Sequence, residues 1–127
     1  MMVADTDVLI DFLAGREPAA QRISSLLSRG LLGTTVITRF ELLCGARNAR
    51  QEQIIHHLLA GMESLPLDTA AADQAARVRR SLERSGEGIG MADSLIAGVV
   101  LARGGELLTR NRSHFERVSG LRLAAPL

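Results

Sequence analysis

Two rhythms alternate along this chain: short solid apolar runs, and longer stretches whose apolar residues recur three and four positions apart. The first run, Met2-Val3-Ala4, stops abruptly at Asp5, and helical periodicity begins two or three residues later. That is the pattern of a buried parallel strand passing into a helix. The helix is expected over residues 8–14, with Asp7 as its N-cap and Gly15 closing it. Pro18 suits the first position of a second helix running to about Ser28, with Ile23, Leu26, Leu27 and the following Leu31 as its stripe. Gly33-Thr34-Thr35-Val36-Ile37 is β-branched and reads as a second strand. A helix then starts at Thr38 and is ended or bent by Gly45. Another begins at Asn48, carries Ile54, Ile55, Leu58 and Leu59 on one face, and stops at Gly61.

Residues 63–68 form a third strand, which Pro66 assigns to a sheet edge. From Thr69 to about Ser85 a helix carries Ala72, Ala75, Ala76, Val78 and Leu82. Residues 85–90 hold three glycines and read as a loop. Residues 91–103 are apolar nearly all round, the pattern of a buried helix. A fourth strand over 106–109, a polar turn at 110–113, a helical turn around 114–118 and an edge strand over 121–123 complete the chain. No repeat or linker interrupts it. The expectation is one α/β domain over residues 1–127, a parallel sheet covered by helices on both faces.

That architecture gathers four scattered polar residues. Asp5 ends the first strand, and Asn111 follows the fourth. Glu41 lies in the first turn after the second strand. Asp93 opens a helix that runs back to the fourth strand. All four project to the carboxyl edge of the sheet, where open α/β folds bind ligands; if strands one and four are neighbours, the crevice is the topological switch point. Each also has a purely structural reading. Thr38-x-x-Glu41 matches a capping box, Asp93 suits a helix N-terminus, Asp7 caps, and Asn111 suits a turn. Asp5 alone has no comparable structural reason to be there.

Three carboxylates in one cleft repel one another unless a cation sits between them. Oxygen donors without neighbouring His or Cys point to Mg²⁺ or Mn²⁺, ions that bind phosphate oxygens and acidify water. Such a site suits hydrolysis of a phosphate backbone. Arg39, Arg110 and Arg112 lie near the acids in sequence and would hold flanking phosphates, or stand as solvated surface residues.

Composition narrows this further. All 15 basic residues are Arg, a bias that a GC-rich genome would also produce, and the net charge of +1 supplies no global attraction for nucleic acid. With three Phe and no Trp or Tyr, a base-stacking surface is not expected, so the backbone would be the main contact. One cysteine excludes an internal disulfide framework and a multi-Cys zinc site. No apolar run reaches bilayer length and no leader pattern is evident, so a cytoplasmic protein is expected. Cys44 reads as a small buried hydrophobe, His56 and His57 as surface residues, and His114 receives no catalytic role.

Taken in order, Asp5-Thr6-Asp7, Thr38-x-x-Glu41-Leu42-x-x-Gly45, Ala92-Asp93-Ser94-Leu95-Ile96-Ala97 and Leu108-Thr109-Arg110-Asn111-x-x-x-Phe115 resemble PIN-domain ribonucleases, more narrowly the VapC-type toxins of bacterial toxin–antitoxin pairs. The resemblance spans the whole chain. It implies a three-layer α/β/α fold with a five-stranded parallel sheet in the order 3-2-1-4-5. It implies Mg²⁺- or Mn²⁺-dependent cleavage of RNA, often tRNA or rRNA, with Asp5, Glu41 and Asp93 as metal ligands. Asn111 falls where many relatives carry a fourth acid, which would weaken the hold on a second ion. Thr6, Asp7 and Thr109 take supporting places. The implied partners are RNA, an antitoxin that blocks the acidic groove in a hetero-oligomer, and a second copy in a homodimer; no membrane is involved.

Two other readings compete. Asp5-x-Asp7 after a strand also fits a haloacid-dehalogenase-like phosphatase with Asp5 as nucleophile, but that chemistry, like a response-regulator receiver, needs a lysine, and the chain has none. A catalytically weakened PIN-like binding or assembly module is the non-enzymatic alternative, for which Asn111 is the argument.

Overall fold

In the computed structural model, which describes all 127 residues, five short strands form one sheet. They are β1 (Met2–Ala4), β2 (Leu32–Thr35), β3 (Glu63–Leu65), β4 (Glu106–Leu108) and β5 (Arg122–Leu123). All pairings are parallel and the order is β3-β2-β1-β4-β5. The central place of β1 follows from its side chains: Val3 packs on one face, Ala4 on the other, and both are fully buried. Leu107 and Leu108 of β4 divide between the faces in the same way. Glu63 and Arg122 lie exposed on the edge strands β3 and β5.

Helices α1 (Thr6–Leu13), α2 (Ala19–Ser28) and α4 (Ala49–Ala60) cover one face through Val8, Leu9, Ile23, Leu58 and Leu59. Helices α5 (Thr69–Arg84), α6 (Met91–Arg103) and the short α7 (Arg112–Phe115) cover the other, where Ile96, Val99, Val100 and Phe115 are buried. Helix α3 (Val36–Cys44) contributes to both through Ile37 and Leu42. This is the expected three-layer arrangement, with β1 and β4 side by side. No helix is long and apolar enough to cross a membrane.

Several local expectations are overturned, each for a physical reason. Helix α1 starts two residues early because Asp5, not Asp7, is its N-cap; Asp5 Oδ1 accepts from the Thr6 amide at 2.8 Å. Val36 and Ile37 belong to α3 rather than β2, because Thr35 Oγ1 accepts from the Thr38 amide at 3.1 Å and starts the helix there. The cap outweighs their β preference, and Thr38-x-x-Glu41 is no capping box. Pro18 occupies the cap position of α2 and Ala19 its first turn. Leu31 and Ile54 are exposed, and Ala71 replaces Ala72 and Ala76 on the buried face of α5. Cys44, at the end of α3, is exposed rather than buried.

Candidate active site

Asp5 follows β1 and remains tied to the sheet, its amide donating to the Leu108 carbonyl at 2.9 Å. The residue is only 5% exposed. Oδ1 caps α1, and Oδ2 accepts from Thr109 Oγ1 at 2.7 Å across the β1–β4 crevice. Burial, with the charges of Asp7 and Asp93 adding to it, pushes this carboxyl up to about 7; the bonds from Thr109 and Thr6 work against the shift. A carboxylate kept in such a place has a neighbour that rewards ionisation, or it stays protonated. Its capping bond also supplies the structural reason that sequence did not reveal.

Asp7 lies in the first turn of α1 and faces the same crevice. Its Oδ2 accepts from the Arg110 amide at 3.1 Å, locking α1 to the loop after β4. Its Oδ1 is buried with no hydrogen-bond partner. Burial raises its pKa, with the Arg110 charge opposing. The Arg110 side chain turns to Asp11, with Nε 2.7 Å from Oδ2, and Arg16 lies 3.3 Å from the other oxygen.

Glu41 reaches the site through threonines. Thr6 Oγ1 donates to Glu41 Oε1 at 2.6 Å and stands 2.9 Å from Thr38 Oγ1, which is fully buried on α3. These contacts join the first turn of α1 to the first two turns of α3. Thr6→Val, which keeps the shape and removes the hydroxyl, is expected to lower stability by about 1–2 kcal/mol. Thr6→Ser should recover most of it, as read by urea unfolding.

On the far side, Asp93 in the first turn of α6 faces Asn111 and His114. Asp93 Oδ2 accepts from Asn111 Nδ2 at 3.3 Å and lies 3.2 Å from His114 Nδ1; Asn111 Nδ2 and His114 Nδ1 are 2.8 Å apart. The Asn111 amide donates to Thr109 Oγ1 at 2.9 Å, so Thr109 links this group back to Asp5.

The fold therefore brings Asp5, Asp7, Asp93, Asn111, Thr6, Thr109 and Glu41 to one sheet edge. It does not gather three of the acids around a single point. Of the arginines, Arg110 is paired with Asp11. Arg112 donates to the Ala124 carbonyl at 2.7 Å and lies 3.6 Å from Glu116. Arg39 is half-buried and makes no ion pair. The residue that sequence reasoning passed over is His114. Its signal was present, since Asn111-x-x-His114 at the start of a helical turn puts both on one side.

Similarity to known proteins agrees with this geometry. The PIN domain family model matches residues 2–121. The tRNA(fMet)-specific endonuclease VapC of Shigella flexneri is 33% identical over 122 residues, 93% of this chain and 92% of that protein. Ribonuclease VapC10 of Mycobacterium tuberculosis is 33% identical over 115 residues, 91% and 86% of the two chains. The structure of DNA-bound VapBC from Salmonella typhimurium superposes with a TM-score of 0.84 at 28% identity, covering 97% of this chain and 96% of that one. With the sheet order, the buried Asp5 and the edge that carries the acids, these likenesses agree: the chain belongs to the PIN-domain family, and within it to the VapC ribonucleases.

Proposed function

We propose that this chain is the toxin of a toxin–antitoxin pair and acts as a metal-dependent endoribonuclease on tRNA or rRNA. The observation that carries this reading is Asp5, a nearly inaccessible carboxylate whose neighbours are two further carboxylates and no free cationic side chain. The orphaned Asp7 Oδ1 adds a second unmet demand for positive charge. Both fit a hard divalent cation, and oxygen donors suit Mg²⁺ or Mn²⁺, ions that keep several waters between themselves and protein. When bound, such an ion makes a hydroxide available near neutral pH and neutralises charge on a phosphodiester.

The chain's own residues take distinct parts. Asp5, Glu41 and Asp93 would hold the ion, and Thr6 and Thr109 fix the carboxylates of Glu41 and Asp5 through the hydroxyls described above. Asn111 contributes a neutral amide, so the site carries one negative charge fewer than with a fourth acid. Arg39, which makes no ion pair, is the one of the three arginines whose charge is left for a backbone phosphate. A groove of about 520 Å³ between α1, α3 and α4 is lined by Ile10, Leu13, Leu42 and Ile54, with Glu41 in its wall. It offers an antitoxin segment a path to the acids. The phosphatase reading finds no support here, because the chain has no lysine to balance a phosphorylated Asp5.

The test is cleavage of labelled tRNA and rRNA by antitoxin-free protein with Mg²⁺, Mn²⁺ or EDTA. Discrete products are expected with metal and none with EDTA. Asp93→Asn should slow the reaction at least about a hundredfold. No cleavage by folded protein under any of these conditions would favour a binding module instead.

A further inference from the structure

We infer that His114 is a nitrogen ligand of the site's divalent cation, completing with Asp93 and Asn111 a three-donor face that favours a transition ion such as Mn²⁺ over Mg²⁺. The inference rests on the nuclease reading above and concerns which ion that site selects. Its basis is the triangle formed by Asp93 Oδ2, His114 Nδ1 and the terminal amide atom of Asn111, with edges of 3.2, 2.8 and 3.3 Å.

As a set of hydrogen bonds this triangle is poor. Its edges are nearly equal, so the two acceptors stand about 60° apart as seen from the amide nitrogen, whose N–H bonds diverge by about 120°. At most one amide proton is well aimed. His114 Nδ1 would also have to accept from Asn111 and donate to Asp93 at once, which one ring nitrogen cannot do. As one face of a coordination octahedron the same triangle is ordinary. Neighbouring ligands on an ion with bonds of about 2.1 Å stand about 3 Å apart. A half-turn of the Asn111 amide replaces Nδ2 by Oδ1, and all three corners then present lone pairs.

The face is rigidly held. Phe115 is fully buried beside His114, the His114 amide donates to the Asn111 carbonyl at 3.2 Å, and the Asn111 amide is tied to Thr109. The imidazole side chain is 41% exposed, so the site stays open to water and substrate. Imidazole nitrogen is a poorer partner for Mg²⁺ than for transition ions, so one nitrogen among oxygens shifts the selectivity without excluding either.

The experiment uses metal-free full chain and Mn²⁺ as the probe. Binding is read from loss of the free-ion EPR signal, and Mg²⁺ affinity from competition. Wild type should hold Mn²⁺ about tenfold or more tighter than Mg²⁺. His114→Ala should lose about tenfold or more in Mn²⁺ affinity while Mg²⁺ affinity falls far less. His114→Asp, which restores an oxygen donor, should bind both ions with the preference moved toward Mg²⁺. Substoichiometric Mn²⁺ should broaden the ring NMR signals of His114 well before those of His56 and His57, which stand exposed on α4. An unchanged Mn²⁺/Mg²⁺ ratio in His114→Ala, or equal broadening of all three rings, overturns the assignment while leaving the metal site standing. Failure of wild type to bind either ion overturns the nuclease reading itself, and this inference with it.

Discussion

Replacing Asp5 with Asn is expected to abolish RNA cleavage, by about a thousandfold or more, and to make the metal-free protein more stable at pH 8 by about 2–4 kcal/mol. The two effects share one cause. In the folded chain this carboxyl is pushed up to about 7, from an ordinary value of 3.8, because burial and the nearby Asp7 and Asp93 charges oppose its ionisation. The folded state thus binds a proton that the unfolded state has already released. Stability falls as pH rises through the interval from about 4 to about 7, with the full penalty present above it. Asn carries no charge and is an equally good N-cap, so the variant keeps the start of α1 and loses the Asp5 share of the slope. Thr109 Oγ1 has lone pairs to accept from the new amide. Urea unfolding of both proteins in EDTA at pH 5 and pH 8 measures this. The wild-type curve should drop between the two values, and the Asn variant should drop far less, by the part that half-buried Asp7 contributes. Added Mn²⁺ should restore the wild type at pH 8 and stabilise the variant far less. A wild-type protein equally stable at both values would mean that Asp5 is already compensated by protein groups and needs no cation.

The order and type of elements were readable because hydrophobic rhythm reports burial directly, and nearly all of this fold is set by which residues face the sheet. The sites of helix initiation were less readable. A helix start is decided by one side-chain oxygen reaching one amide, and several candidates lay within two residues. Asp5 prevailed over Asp7, and Thr35 over Thr38. In both cases the winner is the residue at the strand end itself, which leaves Asp7 to face the crevice and Glu41 to meet Thr6. The clustering of Asp5, Glu41, Asp93 and Asn111 followed from topology, since the carboxyl ends of parallel strands share an edge. Partners within that edge did not follow. Nothing in the order of residues indicates that Arg110 turns to Asp11, that Thr6 holds Glu41, or that His114 meets Asp93. These contacts depend on side-chain reach and on angles between helices, which spacing along the chain does not encode. Cys44 was misread for a similar reason: an apolar neighbourhood in sequence says nothing about which side of α3 it occupies.

Gly98→Val is expected to destabilise the protein by about 3 kcal/mol or more, enough to lower its melting temperature by roughly 10 °C or more. Gly98 lies mid-helix in α6, where it meets α5. A Cβ built there would stand 2.5 Å from the Ala71 carbonyl oxygen and 2.6 Å from Ala75 Cβ and the Ala75 amide nitrogen. Two of those three atoms are backbone, so no side chain can swing aside. The helices themselves would have to part. Alanine tests the argument more sharply than valine. At an unhindered helical position Gly→Ala gains about 1 kcal/mol. Here the close approach is expected to reverse the sign, with Gly98→Ala a net loss of about 1–2 kcal/mol. The consequence reaches the site, because α6 carries Asp93 in its first turn and α5 is the surface against which α6 is seated. Parting the two helices would move Asp93 relative to Asn111 and His114, which ride on the loop after β4 and on α7. Denaturant unfolding of Gly98→Ala and Gly98→Val, with Mn²⁺ affinity measured on the folded fraction, separates the parts. Loss of stability with unchanged affinity would show that the helix pair absorbs the strain away from Asp93. A Gly98→Ala protein more stable than wild type would show that α5 yields, and that the glycine is not needed for the close approach.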